Sequence, residues 1–521
     1  MKKVIKIFDS TLRDGGQAER VSFSVEDKIL IAKKFDEFGI DYIEGGWPMN
    51  PKDVEFFERM QKIQLKHAKL VAFGSTHHPK SKPKEDKNLQ SLIKAKTSVV
   101  SIFGKTWDLH VTHALGVSLE KNLEMIRDSI KFLKENNVEV IYDAEHFFDG
   151  FKSNRDYALK TISAALDGGA DCICLCDTNG GSLPHEIVEM VSYVNKNFPH
   201  VVIGIHAHND SGCGVANTIE AVRCGCTHVQ GTINGFGERC GNANLCSILP
   251  NLSIKMGLNF YADKNLSGIT ELSRFVFEIA NLEPDDRQPY TGKSAFAHKG
   301  GIHVSAVQKI TKTYEHIEPE LVGNHRRVLI SDQAGKSNII YKIKELGLQI
   351  KDSDQKAKEI IQKIKELEKE GFEFENADAS FELLIRKLTG KYTPVFDLKH
   401  FRLIIEKTEN KEMVSEGVVK VKVGYGEEFV AAEGNGPVNA LDSALRKALI
   451  KVIPGIKDME LVDYKVRVLG QKQGTRSRVR VLIESKKKEN TWVTVGVSEN
   501  IIEASWQALV DAVEYMVLKK I

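Results

Sequence analysis

The 521-residue chain predicts a TIM (β/α)8 barrel over residues 1–262, mostly helical linker subdomains over 263–395, and an α+β domain with an internal duplication over 396–521. Three observations carry this reading. Short apolar runs alternate with amphipathic helical patterns through roughly the first 260 residues. The pattern then becomes helical and irregular. Beyond about Phe401, three strand-like runs and a helix occur twice.

The eight strand-like runs begin at Val4–Asp9, Tyr42–Gly45, Leu70–Phe73, Val99–Phe103, Val138–Tyr142, Cys172–Cys176, Val202–His206 and Val229–Thr232. The segment Ser24 to Phe38 opens with a Ser-x-x-Asp cap and carries Ile29, Leu30, Ala32 and Phe35 at helical spacing. Further helices are expected at Val54–Gln61, Ser118–Lys134, Arg155–Asp167, Pro184–Asn197 and Val215–Arg223. Eight such units close into a parallel barrel, with reactive groups at the carboxyl ends of the strands. An open doubly wound sheet is the competing arrangement, but no Gly-x-Gly-x-x-Gly turn follows the first strand.

Past Leu258, the stretch Asp354 to Lys369 puts Ile360, Ile361, Ile364 and Leu367 on one stripe, which suits a packed connector helix better than a coiled coil. The duplicated part runs through Val418–Val423, Phe429–Ala432, Ala440–Lys451, Tyr464–Leu469, Val479–Glu484, Trp492–Val497 and Ile502–Met516. A shift of 64 places sets Ala440, Ala444 and Leu445 over Ala504, Ala508 and Leu509. It also sets Gly434-Asn435-Gly436 over Ser498-Glu499-Asn500, so equivalent helix N-termini are expected beside a shared cleft. A small-molecule sensor and a plain dimerisation module both fit this pattern.

Lys and Arg total 73 against 71 Asp and Glu, so a net charge of +2 offers no broad basic field and nucleic acid is not an expected partner. Apolar residues at 42% suit sizeable globular cores. No run of 18 apolar residues and no signal-peptide pattern occur, so a cytoplasmic protein without a membrane partner is expected. None of the eight cysteines sits as Cys-x-x-Cys, and Cys172, Cys174 and Cys176 alternate. They read as reduced core residues on one strand face rather than as zinc or iron–sulfur ligands.

Chemistry collects at the predicted strand ends. The loop after the first strand reads Asp9-Ser10-Thr11-Leu12-Arg13-Asp14-Gly15-Gly16-Gln17, and the seventh strand ends in His206-Ala207-His208-Asn209-Asp210. Residues i and i+2 of a strand face one way, so both imidazoles aim into one space. Strands one and seven of a barrel are separated only by strand eight, so Asp14 reaches the histidines across the top. Two imidazoles and a carboxylate with open positions suit a divalent metal, with Mg, Mn, Zn or Fe all admissible. Asn242, in Gly235-Phe236-Gly237-Glu238-Arg239-Cys240-Gly241-Asn242-Ala243, adds an oxygen for that metal or for a bound water. The fifth and sixth strands end in Tyr142-Asp143-Ala144-Glu145-His146 and Cys176-Asp177-Thr178-Asn179-Gly180-Gly181. Helix capping accounts for Asp177 and Ser182 but poorly for the whole convergence.

These motifs resemble the acyl-CoA-dependent synthases that include 2-isopropylmalate, homocitrate and citramalate synthases. The doubled glycine at 15–16, the run Ala144 to Gly150 and the run Leu175 to Gly181 resemble the citramalate branch. The resemblance implies an acyltransferase that condenses acetyl-CoA with pyruvate, giving (R)-citramalate and CoA for isoleucine biosynthesis. It implies a divalent metal (Mg, Mn or Zn) on Asp14, His206, His208 and Asn242. Arg13 would stabilise developing negative charge, and Arg13, Tyr142 and Thr178 would contact substrate. Glu145, His303 and Tyr314 would assist proton transfer, the last two from a segment that approaches the partner subunit's site. A homodimer follows, with the C-terminal duplication as its regulatory, amino-acid-binding and dimerisation domain. Isoleucine is the expected effector, bound near Gly434, Asn435, Gly436 and Pro437 and near Gly474 and Thr475 in the loop 470–476. A different 2-oxo acid acceptor, a related carbon–carbon lyase and a catalytically inactive amino-acid-binding regulator are the alternatives. One departure from the relatives is Gly74-Ser75-Thr76-His77-His78, where they tend to carry arginines after the threonine.

Overall fold

The eight apolar runs form eight parallel strands. In the computed structural model, which describes residues 4–330, 335–348, 353–407, 413–469, 477–488 and 490–521, these are β1 (Lys6–Asp9), β2 (Tyr42–Gly46), β3 (Lys69–Ser75), β4 (Val99–Lys105), β5 (Glu139–Glu145), β6 (Cys172–Asp177), β7 (Ile203–Ala207) and β8 (His228–Gly231). They pair in sequence order and β8 returns to β1, with Lys6 opposite His228 and Asp9 opposite Gly231, so the barrel closes. The open sheet is thereby excluded.

The helices between them are α1 (Val25–Phe38), α2 (Pro51–Met60), α3 (Lys87–Lys94), α4 (Leu119–Glu135), α5 (Phe147–Ser153), α6 (Arg155–Asp167), α7 (Pro184–Asn197) and α8 (Gly214–Arg223). Ser24 and Asp27 cap α1 reciprocally, as the sequence motif foretells. Helix α2 starts before the expected Val54 because the Asn50 side chain accepts from the Lys52 amide and Pro51 occupies the first turn. Helices α3 and α5 escape the periodicity reading because two turns are too short to display a 3.6-residue repeat.

Side chains alternate along each strand. Ile7, Ile43, Ile102, Val140, Ile173, Ile205 and Val229 join the core shared with the helices. Phe8, Val71, Val99, Ile141, Cys172, Cys174 and Cys176 form a separate cluster inside the barrel. The cysteine row therefore faces the lumen, and burial pushes the Cys176 thiol up to about 11. Tyr142 belongs to the outer core. It is wholly buried on the face of β5 opposite Asp143, so it does not contact substrate as the resemblance implied; Asp143 is the inward residue there.

Two compact units divide the chain: Met1–Phe296 with Ile317–His325, and Ala297–His316 with Arg326–Ile521. After the barrel strands, the first unit adds α9 (Leu245–Pro250) and α10 (Ile269–Ile279). In the second, β9 (Ala297–His298) pairs with β10 (Arg327–Val328), followed by α11 (Gly301–Val307), α12 (Lys336–Glu345), α13 (Ser353–Glu370) and α14 (Asp378–Leu388). Here β9 and α11 precede β10 in sequence. Ile360 and Ile364 of α13 pack with Ile339 and Ile343 of α12 in one buried cluster, as their apolar stripe requires.

The rest is two copies of one plan. Antiparallel β11 (Asp397–Glu406), β12 (Val414–Val423) and β13 (Gly426–Gly434) carry α15 (Pro437–Leu449). Antiparallel β14 (Glu460–Leu469), β15 (Arg478–Lys487) and β16 (Asn490–Ser498) carry α16 (Ile501–Lys519). Each copy has a register shift early in its first strand, and the helices begin 64 places apart, at Pro437 and Ile501. Leu441, Leu445, Leu509 and Val513 share one core between the sheets. Among the described residues no helix is long and apolar enough to cross a membrane.

Helix α2 lies so close over β2 that a β-carbon at Gly45 would meet the Phe56 and Phe57 rings. Gly45→Val therefore forces α2 away from the strand that presents Glu44. A loss of roughly 1–3 kcal/mol is expected, read as a fall of about 2–10 °C in the barrel's thermal transition by calorimetry. An unchanged transition would contradict this packing.

Candidate active site

The inner wall of a parallel barrel is ordinarily apolar, yet at mid-height this one turns polar. Glu44 of β2, Ser101 of β4, Asp143 of β5, His206 of β7 and Gln230 of β8 are all buried. Such groups demand partners, because an unpaired polar group away from water costs on the order of 1–3 kcal/mol. They find them in the lumen: Ser101 Oγ donates to Asp143 Oδ2 of the next strand at 2.7 Å, Gln230 Nε2 donates across the interior to Asp143 Oδ1 at 3.0 Å, and His206 Nδ1 meets Gln230 Oε1 of the next strand at 2.9 Å.

Above this layer the loop after β1 turns sharply, with the amides of Arg13, Asp14 and Gly15 all donating to the Ser10 carbonyl. That turn drops Arg13 and Asp14 onto the barrel mouth. Arg13 Nε donates to Glu44 Oε2 at 2.6 Å, its Nη1 donates to Asp14 Oδ2 at 3.0 Å, and its guanidinium lies over the Phe73 ring at 3.9 Å. Two acids and an aromatic face thus hold one cation rigidly.

Asp14 Oδ2 lies 3.4 Å from His206 Nε2 and 3.9 Å from His208 Nε2, and the two imidazole nitrogens are 3.4 Å apart. Burial alone would raise the Asp14 carboxyl, but Arg13 and the imidazoles hold it well below the usual carboxylate range. Burial and then the neighbouring His206 lower His208 to about 3, leaving it neutral. Glu44 is raised to about 7, by burial first, against the pull of Arg13.

The donor set fits a metal ion on three counts. Asp14, His206 and His208 place one ligand atom each within 4.8 Å of one another. Asp14 Oδ1 and Asn242 Oδ1 are buried without a hydrogen-bond partner among the described residues. His208 pairs with Asn242 in an isolated β-bridge, which draws the loop after β8 to the same place. Carboxylate, imidazole and amide oxygen with open positions make a site for a divalent cation of intermediate hardness. A second cluster, Asp143 with Cys174 and Cys176, also has ligand atoms within 4.8 Å.

These groups line a cleft of about 830 Å³ whose walls include Arg13, Asp14, Phe73, Phe103, Glu145, Cys176, Thr178, His206, His208 and Arg239. Thr178 Oγ1 accepts from the His146 amide at 2.9 Å, which leaves its hydroxyl proton to donate. Glu145 pairs with Lys105 Nζ at 2.5 Å on the rim. Arg239 spans the mouth, donating to Asp210 and to the Thr178 carbonyl. At the departure, the His77 side chain is buried with Nδ1 2.9 Å from the His78 carbonyl, and neither His77 nor His78 lines the cleft.

The structure thus gathers Arg13, Asp14, Glu145, Thr178, His206, His208 and Asn242 at one mouth. His303 and Tyr314 belong to the second unit, where their rings stack at 4.0 Å; the next residue, Glu315, is buried with His298 and also pairs with the half-buried Arg326. Gly434, Asn435, Gly436 and Pro437 form the entry to α15, with the Asn435 amide donating to Asn439; Gly474 and Thr475 lie outside the described residues. The equivalent entry to α16 is capped by its own Asn500, whereas Gly436 supplies no side-chain cap. The sequence reading missed Glu44 and Gln230. Their signal was polarity at inward positions of otherwise apolar strands, on the same faces as Tyr42 and His228.

Three family models match in succession: HMGL-like over residues 4–276, the homocitrate synthase post-HMGL domain-like model over 290–371, and the LeuA allosteric (dimerisation) domain over 375–517. The (R)-citramalate synthase of Geobacter sulfurreducens is 57% identical over 99% of this chain and 98% of that one. The (R)-citramalate synthase of Aquifex aeolicus is 55% identical over 100% and 99%, and that of Synechocystis sp. 48% identical over 99% and 96%.

His206→Ala removes one ligand and should leave the far-ultraviolet circular dichroism unchanged while lowering Mn²⁺ affinity by at least about tenfold in calorimetry. Wild-type affinity in that variant would exclude His206 as a ligand.

Proposed function

The chain belongs to the (R)-citramalate synthase family of HMGL-like enzymes, and on that premise we propose in detail how its mouth condenses acetyl-CoA with pyruvate to give (R)-citramalate and CoA. One observation carries the reading: a guanidinium, a carboxylate and two imidazoles are pinned within one buried cluster, facing a cleft that holds a free hydroxyl donor on Thr178 and the Glu145 carboxylate.

Asp14, His206, His208 and Asn242 hold a divalent cation, Mg, Mn or Zn, which when bound withdraws electrons from the oxygens of the 2-oxo acid. Thr178 donates to the pyruvate carboxylate, which orients the keto carbon. The aromatic walls Phe73 and Phe103 exclude water from one side of the cleft. Removal of a proton from the acetyl methyl gives an enolate, and Glu145 assists that transfer or places the acetyl group. The enolate carbon attacks the keto carbon, and the carbonyl oxygen takes up the electron pair and then a proton, becoming the hydroxyl of the product. Arg13, unable to lose its own charge beside Glu44 and Asp14, stabilises that oxygen. Water then cleaves the thioester, releasing the second carboxylate and the CoA thiol.

His303 and Tyr314 take part in proton transfer, supplied to the mouth by the partner of a homodimer. Ile302 and Tyr314 are exposed in the second unit, as befits a surface that meets a partner. The LeuA-type duplication is the dimerising and regulatory part, and strand residues Phe429, Val462 and Val468 stand exposed on its sheets. Its effector is isoleucine, recognised at the entry to α15, where Gly436 supplies no side-chain cap. The sequence division at 262 and 395 separates catalysis, linkage and regulation on this reading.

Release of CoA thiol from acetyl-CoA, followed with a chromogenic disulfide across a panel of acceptors, tests the proposal. Pyruvate should give the highest kcat/KM. A strong preference for 2-oxoisovalerate or 2-oxoglutarate would replace it with the isopropylmalate or homocitrate activity. Isoleucine at millimolar concentration should slow thiol release severalfold in the wild type, and Asn435→Ala should weaken that inhibition without lowering the uninhibited rate. Insensitivity of the wild type to isoleucine, with leucine effective instead, would reassign the effector.

A further inference from the structure

The polar belt in the lumen has a direction, and it begins at Asp143, outside the Asp14, His206 and His208 cluster. Asp143 accepts twice, from Ser101 Oγ at 2.7 Å and from Gln230 Nε2 at 3.0 Å. A carboxylate is acceptor-only, so it selects the amide nitrogen of Gln230 and rejects the amide oxygen. With its nitrogen taken, Gln230 turns Oε1 toward His206 Nδ1 at 2.9 Å. An amide oxygen only accepts, so Nδ1 must carry the imidazole proton. The other ring nitrogen, Nε2, is then the one that faces Asp14 Oδ2, 3.4 Å away.

We propose that Asp143 and Gln230 are positioning residues that hold His206 in the Nδ1–H tautomer, so that Nε2 is presented as a metal ligand before any metal arrives. The inference rests on the metal reading of Asp14, His206 and His208. It goes beyond that reading in assigning a role to two buried groups on β5 and β8.

The geometry is specific to the lumen. Asp143 and Gln230 belong to strands that are not neighbours in the barrel, so the hydrogen bond between them crosses the interior rather than running along the sheet. His228, on the same face of β8, lies with Nε2 at 3.4 Å from Gln230 Nε2, which that ring can meet only as an acceptor.

Two variants separate the relay from bulk packing. Gln230→Met keeps length and removes both hydrogen bonds. Asp143→Leu keeps the branched shape but removes the acceptor that selects the Gln230 nitrogen, so the amide loses its one preferred orientation toward His206. Mn²⁺ affinity of the full-length wild type, both single variants and the double variant is read by titration calorimetry, with thermal unfolding beside each. Each single variant should bind Mn²⁺ about 10- to 100-fold more weakly. The double variant should be no weaker than the weaker single, because one chain is cut twice. Affinities of both singles within threefold of wild type would overturn the relay while leaving the metal site standing. A wild type that takes up no Mn²⁺ would remove the metal reading and the relay with it. Should Gln230→Met fail to fold, Asp143→Leu decides alone.

Discussion

The interaction on which the rest depends is the convergence of Asp14 with His206 and His208 inside a closed ring of strands. Three groups that would each prefer water are buried within 4 Å of one another. Closure of β8 onto β1 makes this possible, since it sets the turn after β1 beside the end of β7. The arrangement leaves two carboxylate and amide oxygens without hydrogen-bond donors among the described residues, which is the configuration a cation relieves.

Around that centre the protein gives each neighbour one orientation. Arg13 is held by Glu44 and Asp14 and rests on Phe73, so its charge cannot swing out of the mouth. His206 is held through Gln230 and Asp143, and Thr178 through the His146 amide. His146 reaches that position with a left-handed backbone, φ +56°, uncommon for a residue with a β-carbon and kept by the contacts on both sides. Preorganisation of this kind removes reorganisation from the reaction step, which is where electrostatic stabilisation has its greatest effect.

The second unit shows the same economy in a different form. His298 and Arg326 both hold the buried Glu315 carboxylate, tying β9 to the start of β10, and the adjacent Tyr314 stacks on His303. The duplicated sheets place α15 and α16 in one shared core, yet their entries differ, since Asn500 caps its own helix and Gly436 does not. The duplication thus diverges at one helix entry while keeping its core in common.

Much of this was legible in the linear chain. Apolar alternation located all eight barrel strands, because a strand buried on both faces leaves a short, dense apolar run whatever its neighbours. The 64-residue shift located both copies of the C-terminal plan. His206 and His208 announced themselves by i, i+2 spacing, and Arg13 and Asp14 by their place after the first strand. What local pattern left open was decided by closure. Tyr142 and Asp143 are adjacent in sequence, and only the tilt of β5 in the ring sends the first outward under the helices and the second inward to Gln230. Glu44 and Gln230 carry no motif. They became part of the site because strands far apart in sequence point at one another across a lumen, where polar groups removed from water are obliged to pair.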